Sequence, residues 1–320
     1  YAVVFAWVIM MAIFSFKFVN MTGNNEAASG LWATLIKTTG TIKGFDTVSL
    51  PVILCLLVAW GLIYYCIRNG TSSVGKVIKY LVFLPVICLG FMAIKGATMP
   101  GAMQGLAAFF IPDFSALSNP MLWVDAIGQV FYSMSVMMAI MIAYGSFLDD
   151  SSNIARDGII IAFSDLAVSL LSGIVMFTTM YGTGLQDMLA QKSGPGLAFG
   201  VYPTAIVNLS KSGVFNAIFA FVFYFCLCTL AIDSAFSLVE GISTAFSDKF
   251  GTDKKKTTIT LCVIAGVISL VYTTGAGLAV LDIVDNWCNS FTLILIGVLE
   301  TIAIGWFFET GKVVKEINRN

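Results

Sequence analysis

Long apolar runs separated by short polar breaks dominate the chain. About 20 apolar residues cross the hydrocarbon of a bilayer as a helix. By that measure the runs 1–19, 49–67, 76–97, 120–147, 158–182, 213–247, 257–277 and 282–308 predict eight spanning helices. A helix suits each run because it satisfies its own backbone polar groups where no water can. The breaks NMTGNN, RNGTSS, SNPM and QKSGPG carry Gly, Asn, Ser and Pro, the residues that end regular structure. The run at 213–247 exceeds what a bilayer needs, so it must tilt or project into the cytoplasm. The stretch 183–212 holds Gly194-Pro195-Gly196 and Pro203 yet is half apolar. It is expected to fold back over the bundle as an extracellular lid loop.

Composition sharpens this into an all-α polytopic membrane protein. Of 320 residues, 58% are hydrophobic and 11% charged, with a mean hydropathy of +0.91. A soluble domain does not tolerate that balance. Net charge is −1, with no basic patch to suit a nucleic acid. Histidine is absent, which excludes Ser-His-Asp and Cys-His catalysis and histidine metal sites. The seven cysteines lie mostly inside apolar runs and read as small hydrophobes rather than a disulfide framework.

Lys and Arg set the orientation. The breaks holding Arg68, Lys76, Lys79, Arg156, Lys249 and Lys254–Lys256, with the C-terminal Lys312, Lys315 and Arg319, outweigh those holding Lys37, Lys43, Lys95, Lys192 and Lys211. The richer side is cytoplasmic by the positive-inside rule. Asp149, Asp150 and the Lys254–Lys256 run are then a wet cytoplasmic face.

Three runs carry polar groups at helical spacing. Leu230, Asp233, Ser234 and Ser237 form one stripe. Gln129 and Ser133 stack one turn apart with Ser135 close by, and Asp165, Ser169 and Ser172 form a third stripe. Ser and Gln commonly join membrane helices by hydrogen bonds. The acids ask for more: neither Asp165 nor Asp233 has a Lys or Arg in its own run. A carboxylate at that depth is protonated, paired with another helix, or coordinating a cation. Carboxylate, hydroxyl and carbonyl oxygens are hard ligands that suit Na⁺. Asp233 and Ser234 offer two such oxygens, and the Leu230 carbonyl a third if the helix opens there.

At these residues the chain resembles the neurotransmitter:sodium symporter family, which has the bacterial leucine-transporter fold. The resemblance runs the length of the chain. It is most specific in IPDFSALSNPMLWVDAIGQVFYSMS (111–135), SGPGLAFGVYPTAI (193–206), TLAIDSAFSLVEGISTAFSD (229–248) and LDIVDNWCNS (281–290). It implies an inverted repeat of five helices plus five. Residues 1–320 would form one partial transporter domain spanning family helices three to ten, with helices one and two before Tyr1 and eleven and twelve after Asn320.

The resemblance also implies roles. Asp233, Ser234 and the Leu230 carbonyl match the helix-eight half of the second sodium site. Ser133 and Asp165 match part of the first, where the family often has asparagine in place of Asp165. Gln129, Ser133 and Ser169 match the chloride neighbourhood. Ser169 argues for chloride, whereas Asp165 argues for a fixed charge moved by one turn. Tyr1, with Trp7 six residues on, matches the tyrosine that meets the substrate carboxylate. Tyr132 matches the aromatic that closes over substrate. Ser135, Met137 and Met138 lie where family helix six unwinds, and Met137 stands where glycine is usual. Asp285 and Asp248 match the outer and inner gate aspartates. The implied activity is sodium-driven symport of an amino acid or small amine by alternating access, with Na⁺ co-transported, chloride a second candidate ion and no enzymatic step. Two other readings stay open: a cation channel using Asp165 and Asp233 as pore acids, and a transport-incompetent fragment or scaffold.

Overall fold

The computed structural model describes residues 1–69, 83–138, 140–145, 148, 151–187, 194–308 and 310–317. Lys76, Lys79, Asp149, Asp150, Lys192, Arg319 and the start of the expected run at 76–97 lie outside those residues. Fourteen α-helices follow one another among the described residues. They are α1 (Ala2–Ile13), α2 (Asn25–Ile36), α3 (Leu50–Asn69), α4 (Phe83–Ala97), α5 (Ala102–Phe110), α6 (Pro120–Ser133), α7 (Ile140–Gly145), α8 (Ile154–Gly182), α9 (Tyr202–Val207), α10 (Gly213–Phe250), α11 (Lys254–Ser269), α12 (Gly277–Asn286), α13 (Leu293–Ile302) and α14 (Thr310–Ile317). Six helical runs among the described residues are long and apolar enough to cross a membrane. A seventh counts if α4 and the stretch 102–118, bent by 116°, are taken as one span.

Two expectations change. The run 120–147 is not one helix: α6 stops at Ser133 and helix resumes only at Ile140. The run 282–308 begins earlier, at Gly277, and is interrupted by π-helical turns at Trp287–Thr292 and Ala303–Phe307.

The chain divides into two compact units. The first holds Tyr1–Pro112, Leu170–Phe236 and Ile259–Ala279. Its centre is α1, whose Phe5, Trp7, Met10 and Met11 are almost wholly buried, with α3 packed beside it. Trp7 lies 5.2 Å from Trp32 of α2 and 6.2 Å from Phe199, both edge-on, and Phe199 stacks on Trp32 at 5.3 Å. Aromatic pairs at such spacings add about 0.5–1.5 kcal/mol each beyond area burial. Phe199 lies in the π-helical turn Leu197–Val201 that leads into α9, and Pro203–Val207 of α9 are all buried. The stretch 183–212 therefore carries a packed helical segment rather than open loop. Helices in lipid associate through close packing, which favours small residues at contacts. A methyl group added at Gly105 of α5 would stand only 2.6 Å from the Phe177 carbonyl oxygen of α8.

The second unit holds Asp113–Ser169, Ser237–Thr258 and Val280–Asn320. Helix α6 starts cleanly: the Asn119 side chain accepts from the Met121 N–H, and Pro120 sits in the first turn, where its missing N–H is harmless. Its one glycine, Gly128, faces the π-helical turn Trp287–Thr292. A Cβ at Gly128 would lie 3.2 Å from the Asn289 carbonyl oxygen.

Candidate ion and substrate sites

On the first unit the stripe around Asp233 sits on an unbroken stretch of α10. This helix has 38 residues, about 57 Å at 1.5 Å per residue, far more than the hydrocarbon thickness. The helix does not open at Leu230. Instead the Ser234 hydroxyl donates to the Leu230 carbonyl oxygen at 3.4 Å. With one lone pair in the helical bond and the other taken by Ser234, this oxygen becomes a ligand when the Ser234 hydroxyl turns away. Asp233 is partly buried, and the Tyr1 phenol and the Cys66 thiol of α3 both lie in its field. The Tyr1 phenol lies beside Ser234. Three candidate ligand oxygens and the candidate substrate tyrosine thus gather within one unit.

On the second unit Ser133 and Asp165 meet directly: the serine hydroxyl donates to Asp165 Oδ2 at 2.9 Å. A serine at the end of α6 and an acid on α8, 32 residues apart, are thereby brought together. Gln129 is one turn before Ser133 and Ser169 one turn after Asp165, both exposed. The third member of that stripe goes elsewhere. In the first unit, Ser172 shares a hydrogen bond with the Tyr202 hydroxyl at the start of α9.

The break after α6 is a helix C-terminus made without glycine. The Val136 N–H bonds the Phe131 carbonyl at 2.9 Å, and the Ser135 N–H bonds the Tyr132 carbonyl at 3.1 Å. That pair of bonds is a Schellman motif, which puts Ser135 in the left-handed position glycine normally holds. Its φ is 54°, and Met137 follows at 64°. Non-glycine residues in that region cost about 1–3 kcal/mol each and cluster at functional sites. Tyr132 is 41% exposed, while Ser135, Met137 and Met138 are half-buried. Gly297 of α13 faces this stretch: a Cβ there would lie 3.0 Å from the Phe131 ring and 3.5 Å from the Met137 methyl, the second an ordinary contact.

Asp285 is exposed and accepts from the Asn289 side-chain amide at 2.7 Å. Asn289 lies inside the π-helical turn, and Asp282 stands one turn before Asp285 on the same helix. The 285/289 spacing was visible in the sequence and would have found this partner. Asp248 is exposed near the end of α10. Close by in sequence, Lys254 and Glu240 form an ion pair across the turn at Gly251, whose φ is 62°. Nothing in the spacing, 14 residues across a turn, signalled that pair.

Comparison with known proteins decides the family. The model of the sodium:neurotransmitter symporter family matches residues 1–320. The chain belongs to that family. An uncharacterized sodium-dependent transporter of Methanocaldococcus jannaschii is 29% identical over all of this chain and 65% of its own length. The sodium- and chloride-dependent GABA transporter 2 of Mus musculus is 30% identical over 92% of this chain and 50% of its own. The sodium- and chloride-dependent glycine transporter 1 of Xenopus laevis is 31% identical over 88% and 46%. The chain thus spans between about half and two-thirds of the length of these relatives. The crystal structure of MhsT in complex with L-phenylalanine superposes with a TM-score of 0.74 at 25% identity, covering 99% of this chain and 73% of that one. As a symporter-family chain with several apolar spans, it is a multi-pass membrane protein.

Proposed function

We propose that the protein carries out sodium-coupled symport of an amino acid or related small amine by alternating access. One sodium ion is held by the Leu230 carbonyl, Ser234 and Asp233. A second is held in part by Ser133 and Asp165. Tyr1 meets the substrate carboxylate, Tyr132 closes over it, and Ser135, Met137 and Met138 line the unwound stretch beside it. Asp285 and Asp248 serve as the outer and inner gates, and the segment 183–212 as the extracellular lid. The observation that carries this reading is the oxygen set on α10, a carboxylate, a hydroxyl and a carbonyl within one turn of an apolar helix, with the Tyr1 phenol beside it. The relatives' names support the substrate class: glycine, GABA and L-phenylalanine are all amino acids.

Coupling needs only that sodium bind the substrate-ready state better than the alternative. The test is uptake by the full-length protein in proteoliposomes, with radiolabelled glycine, γ-aminobutyrate and L-phenylalanine under an inward sodium gradient. Accumulation above the external concentration is expected for at least one of them with Na⁺ and not with choline. Ion currents without solute accumulation would replace symport by a channel.

A further inference from the structure

We propose that Asn289 is the positioning residue of the outer gate. It holds the Asp285 carboxylate in one orientation, so that the gate closes over substrate without first ordering that group. This rests on the symport reading above, with Asp285 as the outer gate, and adds the group that sets its geometry.

The contact is direct: the Asn289 side-chain amide nitrogen donates to Asp285 Oδ1 at 2.7 Å. An ionised carboxylate offers only acceptors, so the nitrogen is the amide atom that faces it. The bond uses one of about four lone-pair sites on the carboxylate, so Oδ2 can still meet a cation. Asp282 pushes the same way. It stands three residues before Asp285 on α12, and like charges one helical turn apart repel. The Asp285 side chain is thus drawn toward Asn289 on one side and driven from Asp282 on the other. No Lys or Arg occurs in 111–150 or 277–308. The cation that Asp285 meets therefore comes from outside those stretches, and the carboxylate has to be aimed at it.

The root of Asn289 is itself fixed. It lies in the π-helical turn Trp287–Thr292. There the Thr292 hydroxyl donates to the Trp287 carbonyl oxygen at 3.1 Å, and the Trp287 and Phe291 rings lie 5.0 Å apart. Single turns of this kind sit frequently at functional sites. The Asn289 carbonyl oxygen rests against α6, 3.2 Å from where a Cβ on the buried Gly128 would stand. Only glycine lets two backbones approach so closely without a neighbour giving way. The amide is therefore carried on a wedged backbone and acts as a fixed donor. Ordering a mobile side chain at the moment of binding costs affinity. Asn289 moves that ordering into folding, so the opposing charge finds Asp285 already in place.

The experiment reads escape of bound solute from the sodium-loaded, full-length protein. The probe is whichever of radiolabelled glycine, γ-aminobutyrate or L-phenylalanine the protein takes up, chased with unlabelled solute. Asn289→Leu keeps the shape of the side chain and removes the donor. It should speed escape about three- to tenfold, the size of one net hydrogen bond. The unfolding temperature and the sodium-induced thermal stabilisation should stay at wild type. Asn289→Gln keeps an amide at a spacing where Gln and Asp bond across one turn, and should restore most of the wild-type rate. Asp285→Asn should speed escape at least as much as Asn289→Leu. Adding Asn289→Leu to it should change nothing further, because the two act through one bond. A wild-type rate in Asn289→Leu beside fast escape in Asp285→Asn overturns the positioning role and leaves the gate standing. So does a further rise in the double variant. A lowered unfolding temperature in both Asn289 variants overturns it too, because Asn289 would then only pack the turn. Escape unchanged by Asp285→Asn overturns the gate, and the role of Asn289 with it. Wild-type protein without sodium-driven uptake overturns symport itself.

Discussion

The two candidate ion clusters are built on opposite kinds of backbone. Around Asp233 the helix is intact through a run of 38 residues, and its carbonyls are engaged in the helical ladder. Chemistry there must come from side chains and from spare lone pairs. Around Ser133 the helix has ended, and two residues with positive φ carry the chain onward. A helix end leaves its last carbonyls without partners inside the helix, so backbone oxygen is available there. The intact site concentrates its capacity in one carboxylate. The broken site spreads it over several atoms and stores strain. Single side-chain changes should therefore abolish the first and only adjust the second.

The largest effect is expected at Asp233. Asp233→Asn in the full-length protein keeps the shape but removes the charge that meets a cation in a partly buried place. Sodium-driven uptake should fall to background while expression and membrane insertion stay normal. Uptake that survives this change would mean that the stripe on α10 only packs.

At the broken site the effect is graded. Asn in place of Asp165 can still accept from Ser133, so the 2.9 Å link survives while the fixed charge is lost. We expect wild-type uptake to persist when gluconate replaces chloride, because Asp165 supplies the negative charge directly beside Ser133. Asp165→Asn should retain uptake in chloride and lose most of it in gluconate. A wild-type protein that already fails in gluconate would hand that role to an anion near Gln129, Ser133 and Ser169.

The contrast also explains what the sequence could tell. Spans were legible because hydropathy over about 20 residues is a strong signal. The interruption of 120–147 was not: YSMSVMMAI stays apolar, and the left-handed positions are filled by Ser135 and Met137 instead of glycine. Only the family resemblance located it. The meeting of Ser133 with Asp165 was inferred, yet Ser172 on the same stripe bonds Tyr202. Helical spacing says which residues share a face, and a 29-residue helix passes different neighbours along that face. Partners distant in sequence, such as Glu240 with Lys254 or Met137 with Gly297, have no local signature at all.

Gly297 tests the packing behind the break. An added methyl would crowd the Phe131 ring at 3.0 Å and make an ordinary contact with the Met137 end at 3.5 Å. Overpacking of this kind costs about 1–3 kcal/mol. Gly297→Ala should lower the unfolding temperature by a few degrees in detergent, and uptake in proportion to folded protein. An unchanged unfolding temperature would show that α6 yields freely at this point.

The smallest change in stability and the finest distinction belong to Met137→Gly. Relief of a left-handed methionine is worth about 1–3 kcal/mol. Against that stand the extra chain entropy of glycine in the unfolded state, about 0.4–1 kcal/mol, and the lost packing of the side chain on α13. These terms nearly cancel, so the unfolding temperature should move little. Substrate preference should move more, because the bulk beside Tyr132 and Ser135 is gone. The ratio of L-phenylalanine to glycine uptake should rise by at least a few fold, and fall part of the way back when Gly297→Ala refills space on the α13 side. A ratio that stays at the wild-type value in both variants would take Met137 out of the substrate's surroundings and leave it as packing between α6 and α13.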